Sequence, residues 1–115
     1  MLNRMVNKEQ RIIAVFSALA DSTRLRILEE LSRNQETPAT DLARPFQISM
    51  PAISRHLRVL EHARLIRRRR KGRLHLIGAR ADGLREAQKW MLQYVAHWDS
   101  AFDALDEFLK KERKT

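Results

Sequence analysis

The 115-residue chain predicts a mainly α-helical fold with a small β-hairpin, and three observations predict it. Residues 49–64, SMPAISRHLRVLEHAR, place Ile53, Leu57 and Leu60 on one helical stripe with Ala52 and His56 beside it. Met50, Ser54, Arg55, Arg58 and His62 point away from that stripe, so one face packs and the other presents polar and cationic groups. Downstream, two short runs at 65–70 and 74–78 carry Leu65, Ile66, Leu74, Leu76 and Ile77 around a Lys71-Gly72-Arg73 turn, the pattern of a hairpin. The segments before and after this central stretch repeat large apolar residues at helical spacing.

From the N-terminus, Ile12, Phe16, Leu19 and Ala20 share a stripe that Ile13 and Val15 widen, more apolar surface than a one-sided helix needs. Asp21 or Ser22 interrupts it and caps a second helix to about Ser32, whose Leu25, Ile27, Leu28 and Leu31 are expected in the core. Residues 34–36 read as a loop. A short helix over 38–44 follows, with Thr37 as its cap, Pro38 at its first position, and Pro45 ending it. Phe46, Gln47 and Ile48 form a tight connection to Ser49, which caps the next helix, with Pro51 tolerated in its first turn.

Helix, short turn and basic helix are the parts of a helix-turn-helix, whose second helix enters the major groove of DNA with its N-terminal residues at base edges. With a basic hairpin behind it, the unit is a winged helix. Residues 81–98 then read as one long helix with Leu84, Ala87, Met91, Tyr94, Val95 and Trp98 in apolar positions, and Asp82 near its dipole-positive start. A last helical segment, 101–111, carries Phe102, Leu105, Phe108 and Leu109. One domain over 1–115 is expected, with the helix-turn-helix at about 38–63, the wing at about 65–78 and the C-terminal helices at about 81–111.

The net charge of +9 suits a polyanionic partner, and its distribution says more than its size. From Arg80 onward seven basic residues face seven acidic ones, whereas residues 54–73 hold nine basic residues and the single acid Glu61. The excess sits in the proposed groove-reading helix and wing. The chain has no cysteine, which excludes a disulfide framework, a thiolate metal site and a cysteine nucleophile. The opening MLNRMVNKEQ lacks a signal-peptide core, and the apolar run 12–16 is too short to span a bilayer. A soluble, cytoplasmic protein with no membrane partner is expected; that it is a nucleoid-associated protein of a prokaryote is what the resemblance described next implies. Without a glycine-rich phosphate loop, a carboxylate pair in a recognisable pocket or a nucleophile beside a base, no enzyme and no cofactor are expected.

The runs FSALADSTRLRILEEL at 16–31 and ISMPAISRHLRVLEHARLIRRRRKGR at 48–73 resemble the ArsR-type (ArsR/SmtB) winged-helix repressors of prokaryotes, in register over roughly residues 12–98. The resemblance implies a homodimer on double-stranded operator DNA, often released by an effector, here an unknown small molecule or protein. It implies that the first and long C-terminal helices pair with their two-fold mates, placing Ile12, Phe16, Trp90, Met91, Tyr94 and Trp98 in the dimer interface. It matches Ser54, Arg55 and Arg58 to positions that meet DNA; the helix start at Ser49 and Met50, and Arg68, Arg70, Lys71 and Arg73 of the wing, are expected DNA contacts from the residues themselves. Arginine can bridge guanine O6 and N7, serine can serve bases or phosphates, and a helix N-terminus such as that at Ser49 attracts phosphate. Strand alternation forbids all four arginines of 67–70 from facing DNA together, so two of them are expected to meet acids or solvent.

The chain also departs from the family pattern. Met50 stands where relatives often carry glutamine, so it touches a thymine methyl or packs. Arg64 stands where relatives usually carry glycine; either the backbone there has positive φ and arginine costs on the order of 1 kcal/mol, or the turn has adjusted. Metal-sensing relatives use a cysteine pair in the segment matching 37–42, or widely spaced Asp and His ligands on the C-terminal helix. Here the first place reads ETPATDL and the second offers His97 and Asp99, two residues apart on different faces, so no metal is expected. His56 is expected at the core edge, and His62 and His75 are isolated. Trp90, Tyr94 and Trp98 could line an effector pocket, but such a stripe reads first as core or interface. The alternatives to a repressor are a basic helical adaptor for protein or RNA, and a winged-helix regulator controlled by a protein partner.

Overall fold

A computed structural model describes residues 2–114, with side chains described over 7–113. Five helices and three strands follow in the order α1 (Leu2–Leu19), α2 (Ser22–Arg33), β1 (Glu36–Pro38), α3 (Ala39–Ala43), α4 (Met50–His62), β2 (Ile66–Lys71), β3 (Leu74–Ala79) and α5 (Asp82–Lys114). A 3-10 turn, Arg44–Phe46, links α3 towards α4. This is the winged helix-turn-helix that the sequence predicts.

Local chemistry sets most boundaries as expected. The Asp21 carboxylate accepts the backbone N–H of Arg24 at 3.0 Å and starts α2. The Ser49 hydroxyl accepts from the backbone N–H of Ala52 at 3.3 Å and starts α4, with Pro51 in its first turn. Gly72, at φ 63°, opens the two-residue loop closed by the Lys71–Leu74 pair.

Four expectations are corrected. The hairpin becomes a three-stranded antiparallel sheet in the order β1-β3-β2, because Glu36, Thr37 and Pro38 pair with Gly78, Ile77 and Leu76. Thr37 precedes a proline and so favours extended backbone, and Pro38, lacking an N–H, closes an edge strand rather than opening a helix. Thr37 therefore does not cap α3, which starts one residue after Pro38. Leu25 is 42% exposed instead of lying in the core, since two residues turn it about 200° around α2 from the buried Ile27. The C-terminal region is one helix of 33 residues, not two segments. No proline or glycine lies between Trp98 and Phe102 to break it.

The core gathers Val15, Ile27, Leu31, Leu42, Ile53, Leu57, Leu60, Leu65, Ile66 and Ile77, joining α1, α2, α3 and α4 with β2 and β3. Ala87 of α5 reaches this core, and Trp90 packs edge-to-face on Phe16 of α1 with centroids 5.7 Å apart. From residue 91 to 113, by contrast, every side chain of α5 is exposed. The molecule is accordingly 74 Å long and only 37 by 22 Å across, with a helix end standing clear of the body.

Candidate nucleic-acid interface

The site is built on α4, whose core stripe Ile53, Leu57 and Leu60 is fully buried and fixes which residues look outward. Opposite that stripe, Pro51, Arg55, Arg58 and His62 form an exposed row, and Met50 and Ser54 lie beside it toward the wing. Ser54 is half-buried and Met50 is exposed at the helix start next to Ser49. Neither Arg55 nor Arg58 makes an ion pair among the described residues, leaving both guanidinium groups free for another anion. Val59 and His62, with Ala14 and Ser17 of α1, line an open apolar groove beneath the two arginines.

The wing sorts its cations by what they touch. Arg68 was expected on the DNA side, yet its Nε lies 3.4 Å from Glu61 of α4 and its side chain is only 25% exposed. The acid nearest the strand takes this arginine, so Arg68 joins wing to recognition helix. Arg69 donates to both carboxylate oxygens of Glu36 at 3.0 and 2.8 Å, tying β2 across β3 to β1. That hydrogen bond holds the Glu36 carboxyl below its ordinary range and raises the guanidinium further. Arg67 lies flat over Gly78, where a β-carbon would come 2.9 Å from its Nε. Two of the four arginines do meet acids, but on opposite faces of the strand. Arg70, Lys71 and Arg73 remain exposed at the tip and unpaired with any carboxylate among the described residues.

Several further contacts and turns hold the site in place. Glu86 of α5 accepts from Arg11 of α1 at 2.9 Å and from Arg64, after α4, at 3.0 Å, pinning three segments together. Arg64 adopts φ 61°, the left-handed backbone in which glycine is at home, and the Gly83 N–H donates to its carbonyl at 3.0 Å. Gln47, also left-handed at φ 53°, makes the turn between the two helices of the motif. Gly83 could have been suspected from a glycine in the first turn of a long helix, a position that suits close backbone approach.

The residues expected in a dimer interface divide. Ile12 is only 5% exposed, covered by its own chain, and so needs no partner; its neighbour Ile13 is open to solvent instead. Phe16 is half-buried against Trp90, while Met91, Tyr94 and Trp98 stand exposed along α5. No group of three His, Cys, Asp or Glu among the described residues could hold a metal ion. Among the same residues no helix is long and apolar enough to cross a membrane.

Comparison with known proteins agrees with this geometry. Residues 19–69 match the family model described as a helix-turn-helix domain. The chain is 37% identical over 86 residues to the transcriptional repressor SdpR of Bacillus subtilis, a match covering 75% of this chain and 94% of that one. An ArsR-like transcriptional regulator from Rhodococcus sp. RHA1 superposes with a TM-score of 0.76 at 29% identity, covering 89% of this chain and 95% of that one. A homodimeric winged helix-turn-helix DNA-binding domain from Mycobacterium bovis shares the fold, with a TM-score of 0.62 at 23% identity, covering 85% of this chain and 88% of that one. These relatives are transcriptional regulators rather than enzymes, and the chain belongs to the ArsR family of winged helix-turn-helix transcriptional regulators.

Proposed function

We propose that the protein is a homodimeric repressor that binds an inverted-repeat operator in double-stranded DNA and excludes polymerase from the promoter in a prokaryotic cytoplasm. The observation that carries this reading is the exposed row Arg55 and Arg58, free of carboxylate partners and flanked by a cationic wing tip. On a rigid helix, such guanidinium groups can bridge guanine O6 and N7, while Arg70, Lys71 and Arg73 can grip flanking phosphate. Ser49 supplies a hydroxyl at the positive end of the α4 dipole, a setting that favours phosphate.

The part of α5 left uncovered supports dimerisation. Met91, Val95, Trp98, Phe102, Leu105 and Leu109 recur at alternating four- and three-residue steps, and every one is exposed. Trp98 is 58% exposed although it stacks on Phe102 at 5.9 Å. Soluble chains seldom leave so long an apolar stripe in water, and a second copy of α1 and α5 would cover it. A two-fold pair would also present two recognition helices about 34 Å apart, one turn of duplex.

Selection of bound duplexes from random DNA at near-physiological salt, with the mass of the complex recorded, tests the proposal. An enriched inverted repeat carrying two subunits is expected. Recovery of no sequence, with binding that vanishes as salt rises, would instead leave a basic adaptor surface.

A further inference from the structure

Arg24 lies where three helices meet. Its Nε donates to the Ala18 carbonyl at 2.8 Å and one Nη donates to the Ser17 carbonyl at 3.1 Å, both at the C-terminal end of α1. Its other Nη stands 3.2 Å from Nδ1 of His56, in the middle of α4. A guanidinium can only donate, so a hydrogen bond here uses the Nδ1 lone pair of the Nε2–H tautomer. The Asp21 carboxylate, occupied by the Arg24 backbone N–H, lies 3.8 Å from the same Nδ1, beyond hydrogen-bonding reach.

The contact differs in kind from the packing around it. Ile53, Leu57 and Leu60 hold α4 to the body through non-directional apolar contact, which tolerates a small roll or slide of the helix. Among the described residues, Glu61 makes the polar side-chain link from α4 to the wing and His56 makes the one to α1 and α2. A planar guanidinium held on two carbonyls is a rigid donor, so the imidazole must meet it at one rotation of α4. α1 packs on α5 and belongs to the surface assigned to the dimer, while α4 is the element assigned to DNA.

Resting on that reading, we infer that the Arg24–His56 pair is a positioning device that fixes the recognition helix relative to the dimer helices and thereby sets which half-site spacing the protein accepts. Arg24 and His56 lie off the outward-facing row, though with Arg55 they line one open hollow, and they act through the orientation of Arg55 and Arg58. The ligand side of the proposal is therefore a spacing, not a base.

The test uses the full chain and duplexes carrying the selected half-sites at the selected spacing, with one base pair inserted or with one removed, together with a single half-site. His56→Leu removes the acceptor, His56→Asn offers an amide oxygen at a similar distance from the backbone, and Arg24→Gln removes the donor fork. His56→Leu and Arg24→Gln are expected to keep wild-type affinity for the single half-site while losing about tenfold of the discrimination between spacings, the size of one lost charge-assisted hydrogen bond. His56→Asn is expected to retain most of the discrimination, and should Arg24→Gln fail to fold, the two His56 variants carry the comparison. A spacing profile identical to wild type in His56→Leu, with any loss uniform over all duplexes, overturns the inference while leaving the repressor reading intact. Absence of selective duplex binding by the wild type overturns both.

Discussion

Gly83 and Ala63 approach so closely that a β-carbon on Gly83 would lie 2.2 Å from the Ala63 carbonyl oxygen and 3.2 Å from Val15. Through this contact α5 is seated on the end of the recognition helix and on α1 at once. The neighbouring backbone is fixed from both sides, because Gly83 also donates to the Arg64 carbonyl. Gly83→Ala should therefore destabilise the fold by about 2 kcal/mol or more, through displacement of α5 rather than through loss of any side-chain contact. Chemical denaturation checks this, and a change below about 0.5 kcal/mol, the range of ordinary surface substitutions, would show that α5 has slack at this point.

Arg64 carries two opposed effects. Its left-handed backbone costs roughly 1 kcal/mol relative to glycine, whereas its guanidinium bridges to Glu86 at 3.0 Å and is worth at most about that much at a partly exposed site. Arg64→Gly alone should leave stability nearly unchanged. In a Glu86→Gln background, where the bridge is already broken, the same substitution should stabilise by about 1 kcal/mol. Equal effects in the two backgrounds would mean that the bridge contributes nothing.

Asp21 gives the fold an acid-side dependence. Its carboxyl sits below the ordinary value of 3.8 chiefly because it accepts the backbone N–H of Arg24, with the Arg24 charge adding to that effect. A carboxyl whose pKa is lower in the folded state stabilises fully above its unfolded pKa, and that contribution is lost as pH falls through the folded pKa. Asp21→Asn keeps a capping side chain but cannot titrate. It should leave stability near neutral pH little changed while flattening the decline below about pH 4, read from denaturation midpoints across pH.

Sequence alone made the helix-turn-helix legible because proline, serine and the apolar period each act within a few residues. Ser49, Pro51, Ile53, Leu57 and Leu60 are found where that local reasoning puts them. β1 was not legible, since three residues become a strand only when the edge of β3 is there to pair with them. The fate of the arginine run was half legible: alternation forbids four arginines on one face, but the choice of Glu61 for Arg68 and of Glu36 for Arg69 depends on partners seven and 33 positions away. The Arg24–His56 contact, 32 residues apart, left no periodic trace at all. Arg64 is the converse case: its departure from the family pattern left a left-handed backbone or an adjusted turn open, and the backbone takes the first.

The division of the wing can be read in salt dependence. Arg70→Ala should reduce the slope of log affinity against log salt by about one, as loss of one phosphate contact would. Arg68→Ala should leave that slope close to wild type, because its guanidinium is engaged with Glu61. The reverse order would mean that the wing rearranges on DNA. On α4, Arg55→Ala or Arg58→Ala should cost about 1–3 kcal/mol on the selected duplex if the side chain reads a base, and equally on every duplex if it reads phosphate.

The most direct test of the whole account is the ratio of affinities for the selected duplex and for a scrambled duplex of the same length and composition, measured at near-physiological salt. A sequence-reading dimer predicts a ratio of about a thousand or more, which survives moderate changes in salt. A ratio near one, with both affinities falling together as salt rises, would contradict it and leave α4 and the wing as a cationic surface without sequence preference.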